Sequence, residues 1–582
     1  MKFSASTPVW RIRILAVLIL LFCGVLLTKL FFIQAVKNQY YLDMADRQYM
    51  RPADGIFNRG DIFFTGKDGG LVAGATTKQG YIVAINPKLI TNASTTFNKL
   101  LTAFQGDSQT LDATDFMAKA SKKDDPYEVV ADRVDEAVAN KLTTLNAREL
   151  MVSKERWRYY PAGTAASHVI GFMGYKGNDY IGRYGLEEGY DDVLSRTSAQ
   201  TFTNFFAEIF RGFNAVTPEA TTNATTTTRA EGDLVLSIEP TVQNFLEKSL
   251  AGVMDKYSGE TAGGIIMDPK TGEIVAMASA PNFNPGEKQA DLSLLSNQMV
   301  EGRYEMGSIV KALTMAAGLD AGVVTAQTKY NDTGCLTLNT MKLCNYDGKA
   351  RGVIPMQEVL NQSLNVGATY VETKIGKPKF KQYFQNYGLG EKTGIDLPGE
   401  ISGSLATLDN NQDVEFATAS FGQGISLTPI EITRALATLA NGGYLVTPHV
   451  VKEIRYTTGL KTEITPGLGR QVISTTTAHE ITRMLSIVAD TKLENGKAKI
   501  EHTTFAAKTG TAQYVDPVTH KYYPDRYLHS FFGYFPAYNA RFIVFLYIKH
   551  PQGVQYASET LTQPYLDITK FLINYYNIPP DR

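Results

Sequence analysis

The sequence predicts an α+β fold for its C-terminal half: an antiparallel sheet whose strands come from both ends, with the helices lying between them in the chain. Three observations lead there. Strand-like stretches open the half, with Asp233 to Glu239 first, then Gly263 to Asp268 and Glu273 to Ser279 flanking the turn Pro269-Lys270-Thr271-Gly272. Strand-like stretches also close it, around Lys508, from Phe531 to Pro536 and from Arg541 to Lys549, ahead of a closing helix from Leu561 to Tyr576. Between them, residues from about 355 to 445 read as largely helical. The run from Ile309 to Gly318 is apolar on nearly every side, as a helix in the middle of a domain should be. At 582 residues the chain exceeds one ordinary core, so two or three domains are expected.

Taken in order, the chain begins with an expected cytoplasmic tail, 1–13, and a transmembrane helix, 14–33. Ile14 to Leu27 is unbroken apolar sequence, and its continuation to Ile33 reaches about 20 residues, the length that spans a bilayer. Lys29 would snorkel toward the far headgroups. Lys2, Arg11 and Arg13 precede the span and no acidic residue occurs before Asp43, which puts the N-terminus inside and the bulk of the chain outside. No small-x-small site follows, so an uncleaved anchor is expected rather than a signal peptide, and no second span is visible. Residues 37 to about 50 read as a helix leaving the membrane. Gly55 to Phe64 reads as a turn feeding a strand, and Gly80 to Pro87 as a strand ended by proline. Residues 88–150 read as mostly helical, and Arg158 opens a glycine-rich stretch to Asp191. Residues 34–194 are taken as one domain. Residues 195–231, Ser/Thr-rich with four threonines from Thr225 to Thr228, are taken as an insertion or linker in which Phe202 to Phe213 has helical spacing. Residues 232–582 are the regular domain.

Composition excludes some functions. The 57 basic and 58 acidic residues balance, which gives no support for nucleic-acid binding. The seven histidines form no His-x-x-x-His or Cys/His cluster, so neither a metal site nor another cofactor is expected.

The chemistry points to Tyr304-Glu305-Met306-Gly307-Ser308-Ile309-Val310-Lys311. Ser308 and Lys311 stand three apart and share one helix face. A serine hydroxyl becomes a nucleophile when a base takes its proton, and a lysine amine is that base when burial or a neighbouring cation lowers its pKa. A helix start adds a positive dipole end that favours charge on an attacked carbonyl oxygen. Ser-x-x-Lys alone occurs by chance in most long proteins. Two later stretches change its weight: Ser363-Leu364-Asn365, and Lys508-Thr509-Gly510-Thr511. Ser-x-x-Lys, Ser-x-Asn and Lys-Thr-Gly in that order are the signature of penicillin-binding proteins and class A β-lactamases.

Over essentially its full length the chain resembles a class B, monofunctional penicillin-binding protein, most like the division-specific members. Arg59-Gly60-Asp61-Ile62, Arg158-Tyr159-Tyr160-Pro161, His168 to Gly171 and Gly185-Leu186-Glu187 resemble blocks of the family's elongated pedestal, its dimerisation-like domain. Ser420 to Ile425 with Thr428-Pro429, and Ala440 to Gly443, resemble a block of its β-lactamase-like transpeptidase domain. No glycosyltransferase-like stretch precedes the pedestal blocks, and little sequence follows the last helix. Met306 stands where the family often has proline, which would loosen the turn before Ser308. Leu364 fills a variable slot, and the Thr-rich insertion is unusual.

The resemblance implies a D,D-transpeptidase that cross-links peptidoglycan stem peptides outside the cytoplasmic membrane and is a target of β-lactams. Ser308 would attack the penultimate D-Ala carbonyl and expel the terminal D-Ala. Lys311 would take the Ser308 proton, and Ser363, between Lys311 and Lys508, would relay a proton to the leaving amine. Asn365 would hold the substrate amide and hydrogen-bond Lys311. Lys508 would stay charged and, with Thr509, draw in the substrate carboxylate. Gly510 would let the peptide lie close on the strand. The N–H groups of Ser308 and Thr511 would form the oxyanion hole. An amine of a second stem peptide would resolve the acyl-enzyme, and a polytopic glycosyltransferase and other divisome proteins are the implied partners. The alternatives are side-wall elongation, a D,D-carboxypeptidase or β-lactamase using water, a β-lactam sensor, and an inactive scaffold.

The cysteines carry one more expectation. Cys23 falls in the span and should be free. With a two-residue loop at Asn339-Thr340, Cys335 faces Cys344 as a non-hydrogen-bonded pair, close enough to bridge, and Leu336, Leu338, Met341 and Leu343 share one half-buried face. Outside the cytoplasm such a pair can oxidise; two reduced cysteines in a loop are the alternative.

Overall fold

The computed structural model describes residues 58–196 except 107, 108 and 178, then 230–289, 291–515 and 522–582; of the first 57 residues it describes Leu18, Leu20 to Phe22, Gly24 to Leu26 and Lys29, all helical. Most of the expected span 14–33, the helix at 37–50, Cys23 and nearly all of the 195–231 insertion therefore lie outside the described residues. Among the described residues no helix is long and apolar enough to cross a membrane.

The first described elements are β1 (Ile62–Thr65), β2 (Leu71–Ile85), α1 (Ala93–Phe104), β3 (Glu128–Val134), α2 (Glu136–Thr144) and β4 (Leu150–Tyr159). The reading of 88–150 as mostly helical missed β3. Its Val129 and Val134 are buried and its middle is charged, a half-buried strand that the surrounding helical spacing masked. The antiparallel β2 carries β1 on its first residues and both β3 and β4 further along. A buried charge cluster holds the block together. Arg59 Nε donates to Glu187 Oε2 and Arg158 Nε to Glu187 Oε1, both at 2.6 Å, and Arg158 Nη1 also donates to the Gly60 carbonyl at 2.7 Å. Arg59 Nη1 also donates to Asp191 Oδ1 at 2.8 Å, so truncating Glu187 would strand Arg158 and leave Arg59 only Asp191, which is strongly destabilising.

Next come β5 (Gly232–Leu236), α3 (Pro240–Tyr257), β6 (Thr261–Met267) and β7 (Ile274–Ala280). The bounds of α3 follow its chemistry: Glu239 caps it by accepting from Val242 N–H, Pro240 opens it, and Ser258 ends it in the left-handed region. β5 lies parallel to β1, so the first sheet continues into the C-terminal half. It is extended further by β10 (Val451–Tyr456) and β11 (Lys461–Glu463), which follow the helical region described below. The resulting order is β11-β10-β5-β1-β2-β3, with β4 on β2.

The helical region holds α4 (Lys311–Asp320), the hairpin β8 (Cys335–Leu338) and β9 (Met341–Cys344), α5 (Met356–Asn361), α6 (Asn365–Ile375) and α7 (Pro429–Ala440), the last opened by a Thr428/Glu431 capping box. After β10 and β11 come α8 (Thr475–Thr491), β12 (Ala506–Val515), β13 (Tyr522–Phe535), β14 (Phe542–Lys549) and α9 (Thr562–Tyr576). The second sheet runs β12-β13-β14-β6-β7, all antiparallel, so its strands do come from both ends of the half with helices between. Leu528 to Phe535 of β13 and nearly all of β14 are buried because helices cover both faces. β12 is the outer strand, with one edge free to face the helical layer.

The hairpin has the expected register, Cys335 against Cys344 and Leu338 against Met341, and the two cysteines form a disulfide with Cα atoms 4.0 Å apart. Asn339 and Thr340 both have positive φ, 47° and 69°, the type I′ turn that suits strand twist. Leu343 packs with Ala368 and Phe421, and Leu338 lies against them, but Met341 at the tip is 60 % exposed, so the apolar face is covered only toward the base. Replacing both cysteines by serine should cost the hairpin about 2–3 kcal/mol of local stability, the loop-closure value for so short a ring. Hydrogen exchange of residues 335–344 measures this; protection equal to wild type would show that packing on Phe421 suffices.

Candidate active site

Ser308 sits not in the α-helix itself but in a 3-10 turn, Gly307–Val310, that runs directly into α4. Gly307 has φ +62°, and a Cβ there would lie 2.7 Å from the Thr511 carbonyl oxygen, so only glycine lets the turn rest against β12. Gly307 N–H donates to the Gly422 carbonyl at 3.0 Å, and Ser530 Oγ on β13 donates to the Met306 carbonyl at 2.8 Å. Met306 is buried, and these bonds hold the turn that its replacement of proline was expected to loosen.

Lys311 is 1 % exposed. Its Nζ lies 2.9 Å from Ser308 Oγ, 2.6 Å from the Ser363 carbonyl and 3.2 Å from Ser363 Oγ. Burial, and after it the charge of Lys508, holds the Lys311 amine well below the usual lysine range. Both effects favour the free amine, whose lone pair can take the serine proton. The Phe421 ring lies under it at 5.8 Å.

Ser363 occupies the corner between α5 and α6, with φ 56°, a backbone strain that a non-glycine residue keeps only where its surroundings hold it. Its carbonyl meets Lys311 and its hydroxyl lies 3.0 Å from Lys508 Nζ. The chain from Ser308 through Lys311 and Ser363 to Lys508 thus closes as expected, well within 6 Å at every step. Lys508 is 2 % exposed and also donates to the Thr509 carbonyl at 3.0 Å. Burial pulls its pKa down to about 7. Lys508 was expected to stay charged; with a pKa of about 7 its charge is present below about pH 7 and is lost above it.

Two further details differ from the sequence reading. Lys311 Nζ meets the two serines, not Asn365. Asn365 Nδ2 instead donates to the Cys344 carbonyl at 2.8 Å, tying α6 to the disulfide hairpin. Gly510 carries a packing constraint that the sequence reading left out. A Cβ there would meet Ser530 Oγ at 2.3 Å and the Met306 carbonyl at 2.7 Å, so its smallness serves the packing of β12 on the nucleophile turn. Thr511 Oγ1 accepts from Ala557 N–H at 3.1 Å, which joins the outer strand to the segment before α9.

Glu305 is the residue that sequence reasoning passed over. Its carboxylate accepts from Gly424 N–H at 2.9 Å and from Tyr522 O–H at 3.0 and 3.1 Å, and burial raises its pKa to about 7. Its place three residues before Ser308 was the available signal.

A buried lysine beside a serine, a second lysine bridged by a second serine, and a free strand edge define a serine acyltransferase site of the penicillin-recognising class. Comparison with known proteins agrees. Residues 262–570 match the penicillin-binding protein transpeptidase domain and residues 58–205 the penicillin-binding protein dimerisation domain. The chain is 31 % identical over 547 residues to stage V sporulation protein D of Bacillus subtilis, covering 92 % of this chain and 81 % of that one. It is 24 % identical over 578 residues to the peptidoglycan D,D-transpeptidase FtsI of Buchnera aphidicola, covering 98 % and 96 %. Penicillin-binding protein 3 of Mycobacterium tuberculosis, solved with aztreonam, shares the fold with a TM-score of 0.63 at 24 % identity over 74 % of this chain and 92 % of that one. The chain belongs to the penicillin-binding protein transpeptidase family, among its class B members with a dimerisation domain ahead of the catalytic one.

Proposed function

We propose that the protein is a peptidoglycan D,D-transpeptidase working through an acyl-Ser308 intermediate. The observation that carries this is the unbroken chain from Ser308 Oγ to Lys311 Nζ, Ser363 Oγ and Lys508 Nζ in one buried cluster. In the first half-reaction Lys311 takes the Ser308 proton as the hydroxyl adds to the penultimate D-Ala carbonyl. The oxyanion falls to the N–H groups of Ser308 and Thr511, each such donor worth about 3–4 kcal/mol. As the tetrahedral adduct collapses, the Lys311–Ser363 pair returns the proton to the departing D-Ala amine. Lys508 and Thr509 hold the substrate carboxylate, and Asn365 holds its amide. In the second half-reaction the amine of another stem peptide attacks the ester, gives up its proton along the same route and leaves Ser308 free. A β-lactam enters as the D-Ala-D-Ala end and stays on Ser308.

The names of the relatives, and the aztreonam complex of one structural neighbour, support the substrate and β-lactam parts of this reading. The septum is the proposed site of action. A membrane anchor at 14–33 with the tail 1–13 inside, a pedestal of 34–194, a linker of 195–231 and a transpeptidase domain of 232–582 are proposed from the sequence, with a polytopic glycosyltransferase and division proteins as partners. The test is incubation of the full chain with uncross-linked pentapeptide strands. Dimeric muropeptides with release of D-Ala are expected; D-Ala release with tetrapeptide monomers alone would make the protein a carboxypeptidase. Localisation to mid-cell in dividing cells supports the septal role, and a lateral-wall pattern overturns it.

Charge on Lys508 gives a pH dependence. Its lowered pKa means that the free enzyme loses this cation as pH rises through about 7. Acylation kcat/KM for a carboxylate-bearing β-lactam should therefore fall above pH 7, about tenfold per unit at the steepest. A profile flat to pH 9 would remove the charged Lys508 from carboxylate binding.

A further inference from the structure

Glu305 lies beside the nucleophile turn, yet neither the proton relay nor the oxyanion site uses it. Its two hydrogen-bond partners are neutral: the Gly424 N–H of the loop that also accepts from Gly307, and the Tyr522 hydroxyl at the start of β13. Tyr522 pairs with Val515, so it marks the far end of β12 from Lys508. Among the described residues no lysine, arginine or histidine forms an ion pair with Glu305. Tyr522 is 41 % exposed and Glu305 itself is half-buried, so the carboxylate sits at the rim of the cleft rather than inside the core. The cleft thus has a cation at one end of its free strand edge, Lys508, and near the other a carboxylate with no ion-pair partner among the described residues.

We propose that Glu305 is a cation subsite of the cleft, taking the primary ammonium of a stem peptide. This rests on the transpeptidase reading above. Lys508 fits the carboxylate end of an acyl donor, and a donor running outward along β12 brings its more distal groups toward Val515 and Tyr522. The second half-reaction also needs an amine, which arrives in water largely as an ammonium ion. Either source presents the same group to the same carboxylate. Burial that raises the Glu305 pKa to about 7 also raises the gain from pairing, because an arriving ammonium favours the ionised form. Glu305 here attracts and orients; it touches no reacting bond.

Two ratios test this on the full chain, and both cancel general damage to the site. In the donor arm, acylation is compared between a pentapeptide with a free side-chain amine and its N-acetylated form. In the acceptor arm, partition of the acyl-enzyme is compared between an amine-bearing stem tripeptide and hydroxylamine, which is uncharged at neutral pH. Glu305→Gln, which keeps the shape and an acceptor oxygen, should reduce the preference for the charged partner about five- to tenfold in at least one arm, and the affected arm names the source. Tyr522→Phe removes a hydrogen bond but leaves the carboxylate, so the preference should persist. Unchanged ratios in both arms for Glu305→Gln, or equal losses in Tyr522→Phe, would overturn the subsite and leave a structural bridge. Failure of the transpeptidase reading looks different: wild-type protein would then form no acyl-enzyme with penicillin.

Discussion

Lys311→Ala is expected to lower the rate of β-lactam acylation by at least about 10³-fold, the span of a general base. The reason is the burial of the amine. An exposed lysine at neutral pH has no lone pair to offer, whereas Lys311 is enclosed and has Lys508 as its neighbour, and both effects disfavour its ammonium form. No other described base reaches Ser308 Oγ. The truncation also strands the Ser363 carbonyl, which costs about 1–3 kcal/mol when such a group is left unpaired. A stability loss alone would leave the folded fraction active, so the rate must be normalised to folded protein. Lys311→Arg separates base from cation: a guanidinium keeps the charge but cannot deprotonate, so it should be as slow as alanine. Stopped-flow acylation within tenfold of wild type in either variant would remove Lys311 as the base.

Gly307→Ala should lower acylation by about 10²-fold or more without unfolding the chain. One methyl group does two things here. It forces a side chain into the left-handed region, at about 1–2 kcal/mol, and it drives a Cβ to 2.7 Å from the Thr511 carbonyl. Backbone on both sides must separate, and these are the two segments whose N–H groups are proposed to hold the oxyanion. A displacement on the order of 1 Å is enough for a loss of that size. Acylation kinetics beside a thermal melt would check it; a normal rate with a normal melt would mean that the turn adapts and the oxyanion site is elsewhere.

The sequence and the structure agree best where chemistry forces a residue type. The three motifs located the cluster because a buried lysine base, a relay serine and a second lysine admit few substitutes. The hairpin was legible because register, turn length and two cysteines constrain each other. The roles of Gly510 and Asn365 were less legible. Both residues belong to the site, but what a glycine lacks a Cβ for, and which carbonyl an amide meets, depend on tertiary neighbours such as Met306, Ser530 and Cys344. Glu305 was in view from the start and had no reading, since its partners come from residues 424 and 522. β10 and β11 show the same limit for the fold. Val451 to Tyr456 does not alternate, because its register shifts between Val451 and Glu453, and nothing local says that it pairs with β5 and so joins the first sheet.

The account turns on Ser308 as the acylated residue. Full-length protein saturated with benzylpenicillin, digested and sequenced by mass spectrometry should carry the penicilloyl mass on the peptide containing Ser308 and on no other, and Ser308→Ala should carry none. An adduct on Ser363 or any other serine, or an unmodified wild-type chain at saturating drug, would contradict it.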